Sequence, residues 1–181
     1  MLGQARFEMP GQPTTLVSLP DTWRQRGLRP PGTARYTLEF ALPEAPVIDT
    51  LLAARMTRLS SLHRIYMNGH LVSSMGLGES TPGVGRTGPG LIDLPAHLLR
   101  PGLNTLEIEV HFGVRPGLSR VEIGPEAALE AEHSRYVDAT VTFPQALNLA
   151  AAAIAFFMVQ LWSRRRSEVS LGTFSALMLL A

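Results

Sequence analysis

The sequence predicts a mainly β protein, an antiparallel β-sandwich or jelly roll followed by a transmembrane α-helix. Three observations carry this. About six short runs have strand length, several of them alternate apolar and polar residues, and Gly- and Pro-rich loops separate them. Asn68-Gly69 sits between two such runs and is the strongest short hairpin signal, because a type I′ turn needs positive φ at both central positions. Phe143 to Trp162, the longest apolar run, carries no charge and is followed by Arg164, Arg165 and Arg166. A bilayer core of about 30 Å needs about 20 helical residues, which this run supplies.

Taken in order, Met1–Pro20 is loosely patterned, with a short strand expected over Thr14–Leu19. Pro20 to Trp23 reads as a turn and Arg24–Thr33 as loop. Ala34–Leu42 is a strand: Tyr36, Leu38, Phe40 and Leu42 alternate with Arg35, Thr37, Glu39 and Ala41. Val47–Ala54 is a second strand and Leu62–Met67 a third, returned through the hairpin by His70–Ser74. Met75–Gly90 holds six glycines and two prolines in sixteen residues and is expected to be a long loop. Leu91–Leu94 is a short strand, Pro95–Leu99 a single helical turn, and Thr105–Phe112 the clearest strand. Its inward set is Leu106, Ile108, Val110 and Phe112. Burying those four contributes roughly 6–12 kcal/mol before entropy is counted. Leu118–Ile123 is a last strand, broken by Gly124-Pro125, and Pro125–Glu132 a short amphipathic helix with Pro at its first turn.

The domain plan follows: 1–135 an extracytoplasmic jelly-roll sensor domain, 136–142 a juxtamembrane connector, 143–162 transmembrane helix 1, 163–170 a short cytoplasmic loop, and 171–181 the start of transmembrane helix 2. Arg164, Arg165 and Arg166 set the topology as the cytoplasmic flank under the positive-inside rule. The competing reading of Phe143–Trp162 is a buried helix in a soluble core. Met1–Pro10 lacks the apolar stretch of a signal peptide, so the natural start is expected upstream. The run Leu171–Ala181 stops inside a hydrophobic segment, so the chain is expected to be a fragment.

Composition excludes several functions. There is no cysteine, hence no disulfide, thiolate metal site or cysteine nucleophile. The net charge of +1 gives no bulk case for nucleic acid. Lysine is absent, and the dominance of arginine reads as a high-GC genome signature. His63, His70, His97, His111 and His133 have no metal-ligand spacing and are expected at the surface or at strand edges. Glu39, Glu107, Glu109 and Glu122 are outward strand residues, and nothing pairs two of them as a glycosidase would require. There is no Gly-x-Ser-x-Gly elbow and no phosphate loop. No catalytic residue, cofactor or metal is expected. The candidate ligand-binding residues are Trp23, Glu79 and Arg86. Trp23 is either a sugar-stacking platform or an anchor under the first loop. Glu79 and Arg86 are the charged members of the Gly-rich loop, which either contacts a ligand or is solvated and mobile.

LPDTW (19–23), the Tyr36–Phe40 strand with Pro43, IYMNGHLV (65–72) and IDLPAHLLRPGLNTLEIEV (92–110) together resemble the galactose-binding-like jelly roll. That fold is known from the sugar-binding domain of family 2 glycoside hydrolases. The order of jelly roll, VEIGPEAAL (121–129) and FPQALNLA (143–150) is similar to the extracytoplasmic sensor region of bacterial seven-helix receptors with diverse intracellular signalling modules. The resemblance runs from about Thr15 to Ala181. One departure stands out: where relatives carry an aromatic and a proline after the hairpin, this chain has Gly85-Arg86-Thr87-Gly88-Pro89, which supplies only the proline.

The resemblance implies a periplasmic ligand-sensing module in the bacterial inner membrane, whose output domain lies outside this chain. The expected output is a diguanylate cyclase, with a sensor histidine kinase as the alternative. The expected partners are the lipid bilayer, a periplasmic small molecule of carbohydrate type, and a second copy in a homodimer of the full-length receptor. Two other classes stay open: the non-catalytic carbohydrate-binding domain of a glycoside hydrolase-like envelope protein, and an envelope adaptor.

Overall fold

The computed structural model describes residues 1–29, 31–44, 51–76, 86–113 and 116–164. It divides into two compact units, Met1–His133 and Ser134–Ala181. The first unit is an antiparallel sandwich. Its larger sheet is built on the two longest alternating runs, β3 (Gly32–Leu42) and β8 (Gly102–Phe112), paired along their whole length with Tyr36 opposite Ile108 and Leu38 opposite Leu106. Period two sends Ala34, Tyr36, Leu38 and Phe40 to the same buried face as Leu106, Ile108, Val110 and Phe112. On the opposite face, Arg35 lies within 3.7 Å of Glu107 and 3.6 Å of Glu109, so these two glutamates belong to a solvated ion-pair ladder.

Around this pair the sheet adds β1 (Gln4–Glu8) and β2 (Thr15–Ser18) on one side, and β5 (Leu62–Met67) and β6 (His70–Met75) on the other. The smaller sheet has β4 (Leu52–Ser60) between β7 (Thr87–Leu94) and β9 (Val121–Pro125). One core joins the two sheets, with Phe7, Trp23, Tyr36, Ile65 and Phe112 from one side and Ala54, Met56, Leu59, Leu94 and Val121 from the other.

The Asn-Gly hairpin forms as its chemistry requires, with Asn68 at φ 49° and Gly69 at φ 83°. The Asn68 side chain also clamps the turn before β8. Its Nδ2 donates to the Leu98 carbonyl at 2.7 Å and to Asn104 Oδ1 at 2.9 Å, while its Oδ1 accepts from the Thr105 amide at 2.9 Å. Asn104, fully buried, donates to the carbonyls of Arg100 and Gly102 and accepts from the Arg100 amide. The two phrases IYMNGHLV and LLRPGLNTL therefore meet as one hydrogen-bonded corner.

Several elements differ from the sequence-based expectation. Met1–Pro20 contains β1, whose Ala5 and Phe7 are buried; two inward residues make too short a pattern to stand out. β4 extends to Ser60, through Arg55, Thr57 and Arg58, and residues 45–50 of the expected second strand lie outside the described residues. The expected loop Met75–Gly90 is replaced at its end by β7, which contains Gly88, Pro89 and Gly90. Gly90 packs close under Leu59, where a Cβ would stand 2.8 Å from the Leu59 Cδ2 and oblige that side chain to shift. Gly124 and Pro125 do not break β9 but form its end, opposite Ala53 and Leu52 of β4. His63 is not at the surface: it is 5% exposed, with its Nδ1 bonded to the Ser60 carbonyl and its Nε2 to the Ser73 hydroxyl.

The helix α1 (Glu126–Val137) leaves β9 directly. The Glu126 amide donates to the Leu51 carbonyl at 2.9 Å, and Arg55 of β4 reaches Glu132 at 3.3 Å. The expected connector 136–142 is helical as well, in a π-helical stretch Asp138–Thr142, and α2 follows over Phe143–Arg164. The helix Glu126–Ser163 is long and apolar enough to cross a membrane, and only 6% of its most apolar window is buried. Phe143, Leu147, Leu149, Ile154, Phe156 and Phe157 are exposed, which disfavours a buried core helix among the described residues.

Candidate functional site

The LPDTW phrase builds a buried polar knot. Trp23 opens a 3-10 turn, Trp23–Arg26, that ends at Gly27 in the left-handed conformation, φ 70°. Trp23 itself is wholly buried, edge-on to Phe7 and Phe112. Its Nε1 donates to the Tyr36 hydroxyl at 2.9 Å, and that hydroxyl donates to Asp21 Oδ2 at 2.7 Å. Arg26 completes the chain, 3.2 Å from the same carboxylate oxygen, with its guanidinium stacked 3.9 Å over the Phe7 ring. Burial foremost, then the Asp21 charge and the hydrogen bond to it, hold the Tyr36 phenol well above the ordinary tyrosine range. Trp23 is thus an anchor beneath the loop, and its ring faces are not open to a ligand.

Fixing Trp23 fixes the loop that follows it. The Asp21 amide donates to the Leu118 carbonyl at 2.9 Å and the Trp23 amide to that of Pro116 at 3.4 Å. Between loop and segment lies a cleft of about 630 Å³ lined by Thr22, Arg24, Gly27, Leu28, Arg29, Arg58 and Pro116. This volume falls within the range of small-molecule sites, about 300–1,000 Å³.

Arg58 reaches the cleft because of a β-bulge. In the β4–β7 pairing, Met56 lies opposite Gly90 but Leu59 lies opposite Gly88, so β4 carries one extra residue here. Bulges re-aim a side chain out of the pleat. The Arg58 Nη2 donates to the Asp21 carbonyl and lies 3.5 Å from the Thr22 hydroxyl. Its Nε is buried with no partner among the described residues. Leaving such a donor unsatisfied costs about 1–3 kcal/mol. Gly117, at φ 138°, lets the segment pass tightly beside Asp21: a Cβ there would overlap the Asp21 carbonyl oxygen that holds Arg58. Arg24 and Arg29 are exposed on the rim, and no carboxylate lines the cleft among the described residues.

The structure does not gather the sequence-predicted ligand residues. Trp23 lies under the cleft loop. Arg86 is exposed at the entry to β7, its backbone paired with Ser61, and does not line the cleft. Glu79, Arg165 and Arg166 lie outside the described residues, and Arg164 ends α2. Sequence reasoning passed over Arg24, Arg29 and Arg58, since it read arginine as a genome signature. The signal that could have found the first two is WRQRGLR, three arginines in the seven residues 23–29 directly after a tryptophan turn.

No protein-family model matches the chain, and no curated protein matches it. Among solved structures, an FMN-binding β-glucuronidase from Faecalibacterium prausnitzii L2-6 is similar at 22% identity and TM-score 0.49 over 67% of this chain. Ruminococcus gnavus β-glucuronidase is similar at 18% identity and TM-score 0.48 over 62%, and β-D-mannosidase from Dictyoglomus thermophilum at 14% and 0.46 over 63%. The chain spans 21%, 20% and 15% of the lengths of those three proteins.

Proposed function

We propose that this chain is the extracytoplasmic ligand-sensing module of a membrane-bound bacterial signalling receptor. In this reading the sandwich is periplasmic, the long apolar helix lies in the inner membrane, and the ligand is a small molecule of carbohydrate size. The output is a diguanylate cyclase or, alternatively, a histidine kinase, acting in a homodimer. The observation that supports it is the way one strand serves two ends. Arg58 of β4 lines the cleft, while Arg55, three residues earlier on the same strand, pairs with Glu122 of β9 at 2.9 Å and with Glu132 of α1 at 3.3 Å. A ligand that prefers one position of the β4 bulge would bias how α1 is held. It transmits a signal only to the extent that its affinity differs between the two states.

The test uses the chromosomal gene. Alkaline phosphatase joined after Thr142 is expected to be active, and the same enzyme joined after Arg166 inactive. The reading frame around the helix is expected to encode further apolar segments and a cyclase or kinase. An inactive fusion after Thr142, or a glycosidase barrel in the same frame, overturns the receptor reading.

A further inference from the structure

We infer that the cleft beneath the Trp23 loop is an oxyanion site, selective for a sugar-sized organic anion over its neutral counterpart. This deepens the sensing-module reading and rests on it for the cleft being a ligand site. Three arginines line a single opening, the exposed Arg24 and Arg29 and, from the β4 bulge, Arg58. The acidic group closest in the chain, Asp21, is buried and already engaged by Tyr36 and Arg26, so it does not neutralise them. Guanidinium forks match planar carboxylates and sulfate oxygens in paired hydrogen bonds.

A second observation is independent of charge. The fold buries the Arg58 Nε without a partner while holding its Nη2 on the Asp21 carbonyl. That bond fixes the guanidinium from below, so Arg58 is held in place at the cleft; the Nε itself is closed off and does not meet a ligand. Leu28, Gly27 and Pro116 give the opening apolar walls. A bare inorganic ion would leave those walls wet, whereas an anionic group on a ring-sized body uses both. Neutral sugars are read by carboxylate and amide acceptors with an exposed aromatic face, and the described lining offers neither.

The whole chain in nanodiscs is titrated calorimetrically with galacturonate, galactose and sodium sulfate at matched ionic strength. The double variant Arg24→Gln/Arg29→Gln runs alongside, since both side chains are exposed and the fold does not rest on them. Galacturonate is expected to bind about tenfold or more tightly than galactose, and the double variant to lose about tenfold or more of that affinity. Sulfate competes weakly, and added salt weakens all anion binding. Equal affinity for galactose, galacturonate affinity unchanged in the double variant, or no competition between sulfate and galacturonate each overturn the oxyanion site. So does the absence of any anion binding. Galactose binding alone does so while leaving the sensor reading intact. An inactive phosphatase fusion after Thr142 would remove the sensor reading without touching a positive titration.

Discussion

The Tyr36 hydroxyl donates to Asp21 Oδ2 at 2.7 Å while accepting from Trp23 Nε1 at 2.9 Å. This single oxygen ties the loop after β2 to the centre of β3, and it is buried on both sides. The phenol must stay protonated for the arrangement to hold, because a phenolate would face the Asp21 carboxylate across a short contact.

That requirement predicts an alkaline limit on stability. Burial and Asp21 raise the Tyr36 pKa in the folded state above its unfolded value. Below about pH 10 both states carry the proton and the contribution is fully present. Above it the unfolded state releases the proton first, so stability falls by up to about 1.4 kcal/mol per pH unit. The chain has no lysine or cysteine and only three tyrosines, which makes the slope assignable. Denaturant unfolding of the whole chain in detergent, followed across alkaline pH, is expected to show this slope. Tyr36→Phe is expected to abolish most of it and to cost about 2–3 kcal/mol at neutral pH, by leaving the buried indole N–H without an acceptor and the Asp21 carboxylate with Arg26 alone.

Gly117 is predicted to tolerate no side chain. Its φ of 138° disfavours one, and a Cβ would overlap the Asp21 carbonyl oxygen at 2.2 Å and crowd Arg58 at 3.1 Å. Gly117→Ala is expected to lower stability by about 2–4 kcal/mol. It should also weaken ligand binding at the cleft, because the displaced Asp21 carbonyl is the acceptor that holds Arg58. An unchanged unfolding midpoint would show that the segment shifts freely.

Asn104 serves the fold rather than the ligand. Fully buried, it bridges Arg100, Gly102 and Asn68. Asn104→Ala is expected to cost about 2–4 kcal/mol, since it opens a cavity at a fully buried site and takes the partner of the Arg100 amide, of the Arg100 and Gly102 carbonyls and of one Asn68 Nδ2 hydrogen. Ligand affinity, measured where the variant is still folded, should not change.

Coupling is predicted to run through Arg55. Its side chain is 13% exposed and spans Glu122 and Glu132. On the receptor reading proposed above, Arg55→Gln in the full-length protein is expected to leave cleft affinity within about twofold while reducing the ligand-induced change in output severalfold. A normal response would place the coupling elsewhere.

The helical backbone from Glu126 to Arg164 gives a parallel test. On the same proposed reading, flexible glycines inserted at Asp138 should abolish the response of output to ligand with binding retained, since each glycine weakens a helix by about 1 kcal/mol. Output unchanged after insertion would count against transmission through helical backbone.

Local periodicity determined β3, β8, the Asn68-Gly69 hairpin and the apolar helix, since each of these rests on residues near one another in the chain. Alternation over Ala34–Leu42 needs no partner strand to be read, and the left-handed turn at Asn68 needs only its two residues. Tertiary structure alone decided the rest. Pro89 and its flanking glycines join a strand because β4 supplies the pairing, and β4 continues to Ser60 because β7 pairs with it beyond the reach of β9. Trp23 is an anchor because Tyr36, distant in sequence, accepts its N–H. The cleft exists only because a bulge at Arg58, a loop at Arg24–Arg29 and the turn at Pro116 and Gly117 come together. No local pattern encodes that meeting, which depends on how two sheets close over one core.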